Sequence, residues 1–410
     1  MASLLSLPAD LHLCILKFVP DIKTLKTAVI RNNVLYSSFA AYKCSVATAV
    51  LKNELGLDIY PHAIINHLAA KEDVFRNNSS RIKNSERWVP LIHEYWNQMD
   101  TMLLTPMDTA TIATAHHKVK DICDIMLGGR SNIAVVYPLY NSDRFLNPSP
   151  SERLRVQRGV YLFHITISAC AFLCVQGNSD LDSMADILQR TVLEPLLAPW
   201  ELNQISGIQT FLQRSFIRTL RKWARHSSKT FDTEQAGDMI SLQTIRSVIG
   251  SGLDNIHRIL CVADGHGNDH DAIPGQSSMA GGCGHIFDLG VGRAVQASNI
   301  RAWSSCYDDY KSLCHDDAPA FRAWRRLRER RMEFLDNSPF WSTALQPELS
   351  ILGEHFGFWG IPFWDDDRWD DVIHAVAQSH LDHLLHLTYE LEHHTLETLV
   401  LEHILAPELI

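Results

Sequence analysis

The chain has 410 residues, of which 46% are hydrophobic and 20% are charged, and its formal net charge is -10. This composition is ordinary for a globular protein and excludes a mainly disordered chain. The length exceeds what one typical core requires and predicts two or three packed units. The acidic balance favours partners other than nucleic acids and anionic membranes, with a local basic patch as the open alternative.

The nine cysteines indicate the compartment. Their number is odd and no Cys-x-x-Cys pair occurs, so we interpret them as reduced thiols in a reducing compartment. The first residues include Pro8, Asp10, His12 and Lys17, with no basic stretch before an apolar run, and do not resemble a signal peptide. We therefore expect a cytoplasmic or nuclear protein.

In chain order, residues 1–56 predict a bundle of three helices. The first begins near Leu7 and ends at Pro20, and Asp21 can cap the second. The third carries apolar residues from Leu35 onward and runs on as a long helix, which Gly56 ends. The apolar residues recur at helical spacing, which predicts that the three segments pack on one another.

Residues 57–150 predict a helical connecting region with two breaks. Residues 76–86 are polar and rich in Asn and Ser, and residues 141–150 form a shorter break. Between them, residues 133–137 are the one short β-branched run. We therefore allow one or two minor strands at most.

Residues 151–410 predict a C-terminal helical domain. Its clearest apolar stripe consists of Ile205, Ile208, Leu212, Phe216, Leu220 and Trp223, in a helix that Pro199 can begin. Helical spacing recurs in segments that begin near Ser151, Asp182, Glu234, Ser298, Pro319 and Asp370. The apolar run over 160–175 is too short to span a bilayer and predicts a buried helix.

Residues 264–284 are rich in Gly, Asp and Ser and predict a mobile loop inside this domain. No repeat with a period of 20 to 50 residues occurs. The predicted fold class is all-α: an N-terminal three-helix bundle packed on a larger, irregular helical domain.

No motif in the sequence indicates an enzyme. A P-loop is excluded because no Gly-Lys dipeptide occurs. Gly290-Val291-Gly292 lacks the third glycine of a dinucleotide-binding loop, and Gly250-Ser251-Gly252 lacks the spacing of a nucleophile elbow. We expect no catalytic residue, no metal site and no cofactor.

Three runs near the C-terminus allow more than one interpretation. Residues 374–403 hold seven histidines, and Glu390 and His393 have the Glu-x-x-His spacing of iron-binding bundles without a convincing second copy. We prefer a surface helix, with a metal site as the alternative. The acidic cluster 365–371 predicts a helix start or a partner-binding rim. The arginine-rich run 322–331 predicts a solvated helix face, or else nuclear import or an acidic partner.

The N-terminal segment resembles the F-box family. Leu-Pro is followed by an apolar residue three positions on, then by an Ile-Leu pair, then by a leucine in the next helix. The resemblance implies an exposed apolar face that binds the Skp1 subunit of an SCF-type ubiquitin ligase. The residues that match the motif are Leu7, Pro8, Leu11, Ile15, Leu16, Leu25 and Val29. Tyr36 replaces the family's large residue after the second helix, and the family's later Leu-Trp is missing.

These departures are similar to those of divergent F-box-like proteins of filamentous fungi. Residues 151–161 and 199–212, and the turn Phe363-Trp364-Asp365 with Arg368, also resemble that group. The resemblance implies a non-catalytic substrate receptor, which brings an unknown target protein to the ligase. The alternatives are a helical scaffold whose N-terminal bundle is only a structural cap and a helical metalloprotein that uses the C-terminal histidines.

Overall fold

The computed structural model describes residues 7–71, 90–127 except 91 and 100, 148–174, 181–227, 252–263, 283–301, 321, 322 and 324. Within these ranges the chain is helical and contains no strand, so the predicted all-α class is confirmed. The β-branched run at 133–137, the polar segment 76–86 and the helical segments predicted near 234 and 370 lie outside the described residues.

Four helices form the N-terminal bundle: α1 (Ala9–Lys17), α2 (Ile22–Arg31), α3 (Asn33–Ala41) and α4 (Lys43–Leu55). Asp21 caps α2, since its carboxylate accepts a hydrogen bond from the Thr24 backbone N–H at 2.7 Å. Asn32 caps α3 in the same way through the N–H groups of Val34 and Leu35. The bundle core consists of Leu16, Leu25, Val29, Leu35, Val46 and Val50.

The predicted third helix is two helices, which corrects the sequence interpretation. The chain bends by 100° between α3 and α4 at Tyr42, whose ψ of 29° departs from helical geometry. The bend turns α4 back across α1 and α2, so that Val46 and Val50 can join the same core as Leu16. Gly56, with φ at +72°, ends α4 as predicted.

Seven further helices and a distorted turn form the described part of the body. They are α5 (Tyr60–Lys71), α6 (Pro106–Met126), α7 (Pro150–Cys174), α8 (Leu181–Leu188), a π-helical turn (Gln189–Leu193) with a single helical turn after it (Glu194–Leu196), α9 (Pro199–Ser227), α10 (Leu253–Ala263) and α11 (Cys283–Arg301). Helix α7 is central, because it contacts α5, α6, α9 and α11. Its Phe163 packs edge to face on Phe287 of α11 at 5.2 Å.

The body core is continuous across the predicted domain boundary at residue 150. Ile122 of α6, Val160 of α7 and Ile208 of α9 belong to one buried cluster. The buried helix predicted over 160–175 is confirmed through Cys170, the last residue whose burial is described. Pro199 begins α9 as predicted, and the first four members of its apolar stripe are buried.

Two predicted boundaries in the later part of the chain are wrong. Cys283 and Gly284 belong to α11 and not to the loop predicted over 264–284. The segment predicted to begin near Ser298 lies in the last turn of that same helix. The glycine-rich composition before α11 concealed its start. Residues 264–282 lie outside the described residues.

Helix α4 connects the bundle to the body, because its side chains enter both cores. Val46 and Val50 face the bundle core, whereas Leu51 and Leu55 belong to the body core. The Asn53 side-chain amide donates to the backbone carbonyls of Lys17 and Val19 at 2.8 and 3.0 Å, which holds the end of α1. The Glu54 carboxylate accepts a hydrogen bond from the N–H of Ile22 at 2.9 Å, at the start of α2.

Among the described residues, no single helix is both long and apolar enough to cross a bilayer; the bent pair α3 and α4 passes on length and composition alone.

The two glycines of Gly290-Val291-Gly292 lie inside α11, so this segment is not a nucleotide-binding loop. A Cβ on Gly290 would lie 2.7 Å from Leu188 Cδ2, whereas a Cβ on Gly292 would meet no atom within 4 Å. Gly290 therefore permits the close packing of α11 on α8.

We expect Gly290→Ala to destabilise the protein by about 1 kcal/mol. Overpacking a core costs about 1–3 kcal/mol, which exceeds the gain of about 1 kcal/mol in helix propensity. Gly292→Ala is the matched control and should stabilise by up to about 1 kcal/mol, because it gains propensity without a clash. Urea unfolding of both variants measures the difference. A shift of both midpoints in the same direction would contradict this account of the α8–α11 contact.

We expect Asn53→Ala to lower the free energy of unfolding by about 1 kcal/mol, because two hydrogen bonds to the end of α1 are lost from an exposed side chain. Asn33→Ala, at an exposed position in the first turn of α3, should change it by less than about 0.5 kcal/mol. Chemical denaturation of the two variants checks this, and equal losses would show that Asn53 does not secure α1.

Candidate functional site

An apolar groove on the outer face of α1 is the clearest candidate site. It has a volume of about 470 Å³ and is lined by Leu7, Leu11, Cys14, Ile15, Phe18 and Val19. Leu11 is 46% exposed, Ile15 is 38% exposed and Phe18 is 84% exposed. Contiguous exposed apolar side chains on a globular protein mark interaction surfaces more often than isolated ones do.

Helix α1 has one side that packs on the bundle and another that carries apolar residues toward solvent, so it can be both anchored and exposed. His12 and Leu16 are spaced by four residues and face the interior, each at most 2% exposed. Leu11, Ile15 and Phe18 are spaced by four and three residues and face outward. The inner residues hold the helix, and Phe18 is the member of the outer stripe that contributes least to folding.

The structure places the seven F-box motif residues in two groups. Leu7 is half-buried, and Pro8, Leu11 and Ile15 are exposed, so these four are available to a partner. Leu16, Leu25 and Val29 are buried members of the bundle core and offer a partner no surface. They form the core on which α1 packs and so hold the groove-lining residues in position.

The sequence motif missed Phe18, which directly follows α1 and is the most exposed large apolar side chain among the described residues. The F-box pattern passes from the Ile-Leu pair to the leucine of the next helix and does not include Phe18. The signal was present in the spacing, because Phe18 continues the Leu11–Ile15 stripe by three residues.

Three histidines in the body are held neutral by burial. Desolvation lowers the pKa of His62 and His116 to about 3, and that of His164 to about 4. His116 Nδ1 lies 3.1 Å from the Tyr161 hydroxyl, and His164 Nδ1 lies 2.5 Å from Asn66 Oδ1. These contacts provide hydrogen-bond partners for the ring nitrogens, as expected of buried structural side chains.

The buried thiol and phenol nearby are equally unreactive. Burial raises the pKa of Cys123 to about 12 and raises the pKa of Tyr161 well above its ordinary value. A nucleophilic cysteine requires a lowered pKa, so Cys123 is a structural side chain.

His257, Cys261 and Asp121 are close together but do not form a catalytic triad. His257 Nε2 lies 3.0 Å from Asp121 Oδ2 and 3.5 Å from Cys261 Sγ, whereas Nδ1 lies 4.0 Å from Cys261 Sγ, so the nitrogen nearer the thiol is the one that contacts the carboxylate. A triad needs the carboxylate on one ring nitrogen and the nucleophile on the other. This contact instead links α10 to α6, beside the Lys118–Asp254 ion pair at 2.7 Å.

The part of the chain that the structure describes contains no group of three or more His, Cys, Asp or Glu side chains arranged to hold a metal ion. The C-terminal histidines and the 365–371 acidic cluster lie outside the described residues. In the arginine-rich run, Phe321 and Trp324 pack against Trp200 of α9, with ring centroids 5.4 and 6.4 Å away.

Comparison with known proteins gives no match to a protein-family model, to a curated protein or to a solved structure.

The buried histidines predict acid sensitivity. Because the unfolded chain binds protons below about pH 6.5 that the folded protein excludes, stability is full above that pH and falls as pH drops toward 4. Replacing His62 by Phe removes one such group. The slope of unfolding free energy against pH near pH 5 should then decrease by about 1 kcal/mol per pH unit.

Trp96→Phe is the control, because Trp96 packs edge to face on His62 at 5.5 Å but carries no titratable group. It should leave the pH slope unchanged while altering the same contact. Urea denaturation series between pH 4.5 and 7.5 provide the slopes. An unchanged slope in His62→Phe would mean that His62 is not the buried neutral group described above.

Proposed function

We propose that this chain is a non-catalytic adaptor whose N-terminal bundle binds the Skp1 subunit of an SCF-type ubiquitin ligase. The single observation that carries the proposal is the outward apolar stripe on α1, formed by Leu11, Ile15 and Phe18. It coincides with the segment whose sequence resembles an F-box. The contacting residues would be Leu7, Pro8, Leu11, Ile15 and Phe18.

The supporting role of the buried motif residues is consistent with this division. Leu16, Leu25 and Val29 form the core against which α1 rests. Substitutions there would disturb the groove by unfolding the bundle, while substitutions at the partly exposed Leu11 and Ile15 would act mainly on the groove. A binding face on a supported helix loses less entropy on association than a face that must first be ordered.

The mechanism would be proximity. An adaptor raises the effective concentration of its target near the ubiquitin-charged enzyme and takes no part in the chemistry. The body, from α5 onward, would hold the target protein. Because α4 belongs to both cores, the docking face and the body would move as one unit.

The main alternative is a helical scaffold whose N-terminal bundle is only a structural cap. A cap is expected to bury its apolar face against the remainder of the protein. The exposure of Leu11 and Ile15 among the described residues favours the adaptor over the cap.

Co-precipitation with purified Skp1 subunit tests the proposal. We expect wild type to bind and a Leu11→Asp, Ile15→Asp double variant to bind at least about 100-fold more weakly, because two central apolar anchors are replaced by charges. Circular dichroism must first show that both proteins are folded, as the exposure of the two positions leads us to expect.

The matched control is a Leu181→Asp, Ile187→Asp variant. These residues are 37% and 39% exposed on α8, close to the values for the test pair. The control should bind like wild type. Failure of folded wild-type protein to bind Skp1 would remove the adaptor role and leave the scaffold.

A further inference from the structure

The N-terminal bundle has a charge opposite to that of the whole protein. Residues 7–56 contain six basic and three acidic side chains, a net charge of +3, whereas the complete chain carries -10. The net charge of the bundle is therefore opposite in sign to that of the rest of the chain. A local potential of this kind directs which partners approach the surface.

The basic side chains lie at the surface and the acidic ones are largely committed to the fold. The exposed or half-buried basic residues are Lys17, Lys23, Lys26, Arg31, Lys43 and Lys52. Lys52 lies over the Tyr60 ring, and Lys23 interacts electrostatically with Asp21. Of the acids, Glu54 has a side chain only 5% exposed and accepts the Ile22 N–H. Asp21 caps α2, which leaves Asp10 as the exposed carboxylate.

The positive charges are near the apolar groove along the chain. Lys17 directly precedes Phe18, and Lys23 follows Val19 by four residues, in the first turn of α2. Lys26 is exposed in the next turn of α2. Lys17 is bonded directly to Phe18 and therefore borders the groove, and an exposed charge acts on an approaching partner over a screening length of about 10 Å at about 0.1 M salt.

We propose that the partner of the α1 groove presents an acidic protein surface around an apolar projection. This inference rests on the proposed docking function and specifies the chemistry of the partner. The apolar groove would set how long the complex lasts, and the lysines would set how fast it forms. Rim charges change association rates more than they change dissociation rates.

An acidic protein fits this surface better than an anionic membrane does. The potential of an anionic lipid surface acts only on charges within a screening length of about 10 Å at about 0.1 M salt, and such a surface offers no side chain that could fill a groove. Residues 57–410 carry 31 basic and 44 acidic side chains, so the body adds no basic excess that would favour lipid. A protein partner contacts only the local basic surface, and the concave groove accepts a projecting side chain.

Association kinetics of the full chain with immobilised Skp1 subunit test the proposal. A Lys23→Glu, Lys26→Glu variant should associate about tenfold more slowly than wild type at about 50 mM salt, with the difference shrinking at about 300 mM. An Arg190→Glu, Arg258→Glu variant is the control, because it makes the same change in net charge at exposed positions on the body. It should associate like wild type.

The outcomes separate the two proposals. If Leu11→Asp, Ile15→Asp abolishes binding but Lys23→Glu, Lys26→Glu leaves the association rate unchanged, the docking function stands and the acidic-partner inference is overturned. If wild type does not bind Skp1, both fall. Vesicles containing about one-third phosphatidylserine are the remaining probe. If wild type binds these vesicles and the Lys23→Glu, Lys26→Glu variant does not, the proposal of an acidic protein partner is overturned in favour of a membrane.

Discussion

Helix α4 supplies side chains to two hydrophobic cores, and the arrangement of the N-terminal half depends on it. Val46 and Val50 lie on one side of the helix and Leu51 and Leu55 on another, so the same backbone is fixed by both clusters. Each fully buried side chain of this kind contributes about 1.5–3 kcal/mol. The bundle therefore has no independent hinge where α4 passes from one core to the other.

Polar side chains near the end of α4 also fix the positions of α1 and α2. Asn53 donates to the carbonyl of Lys17, the last residue of α1, and to that of Val19, while Glu54 accepts from the first N–H of α2. A nine-residue helix such as α1 is not stable alone in water and requires tertiary contacts. The outer stripe can remain apolar and exposed because α1 is held by its inner face and by Asn53, and not by the residues it presents to solvent.

Local chemistry predicted the helix ends, but long-range packing decided how the helices combine. Asp21, Gly56 and Pro199 have backbone roles that a few neighbouring residues determine, and all three lie where the sequence placed them. No Pro or Gly near Tyr42 indicates the break between α3 and α4. The break arises because α4 folds back over α1 and α2. Likewise, the F-box pattern identifies Leu16 and Ile15 equally, although one is buried and the other exposed. Burial depends on partners that are distant in sequence.

The interior and the α1 surface of the described residues differ in character. The groups with strongly shifted pKa values, including His62, His116 and Cys123, are buried, and desolvation is the main cause of each shift. The α1 stripe has the opposite character, because Phe18 is 84% exposed and gains almost nothing from folding. Replacing it with a polar residue would cost the fold little, so stability does not account for an aromatic side chain at this position. Burial against a partner would account for it, since that is where its apolar surface leaves water.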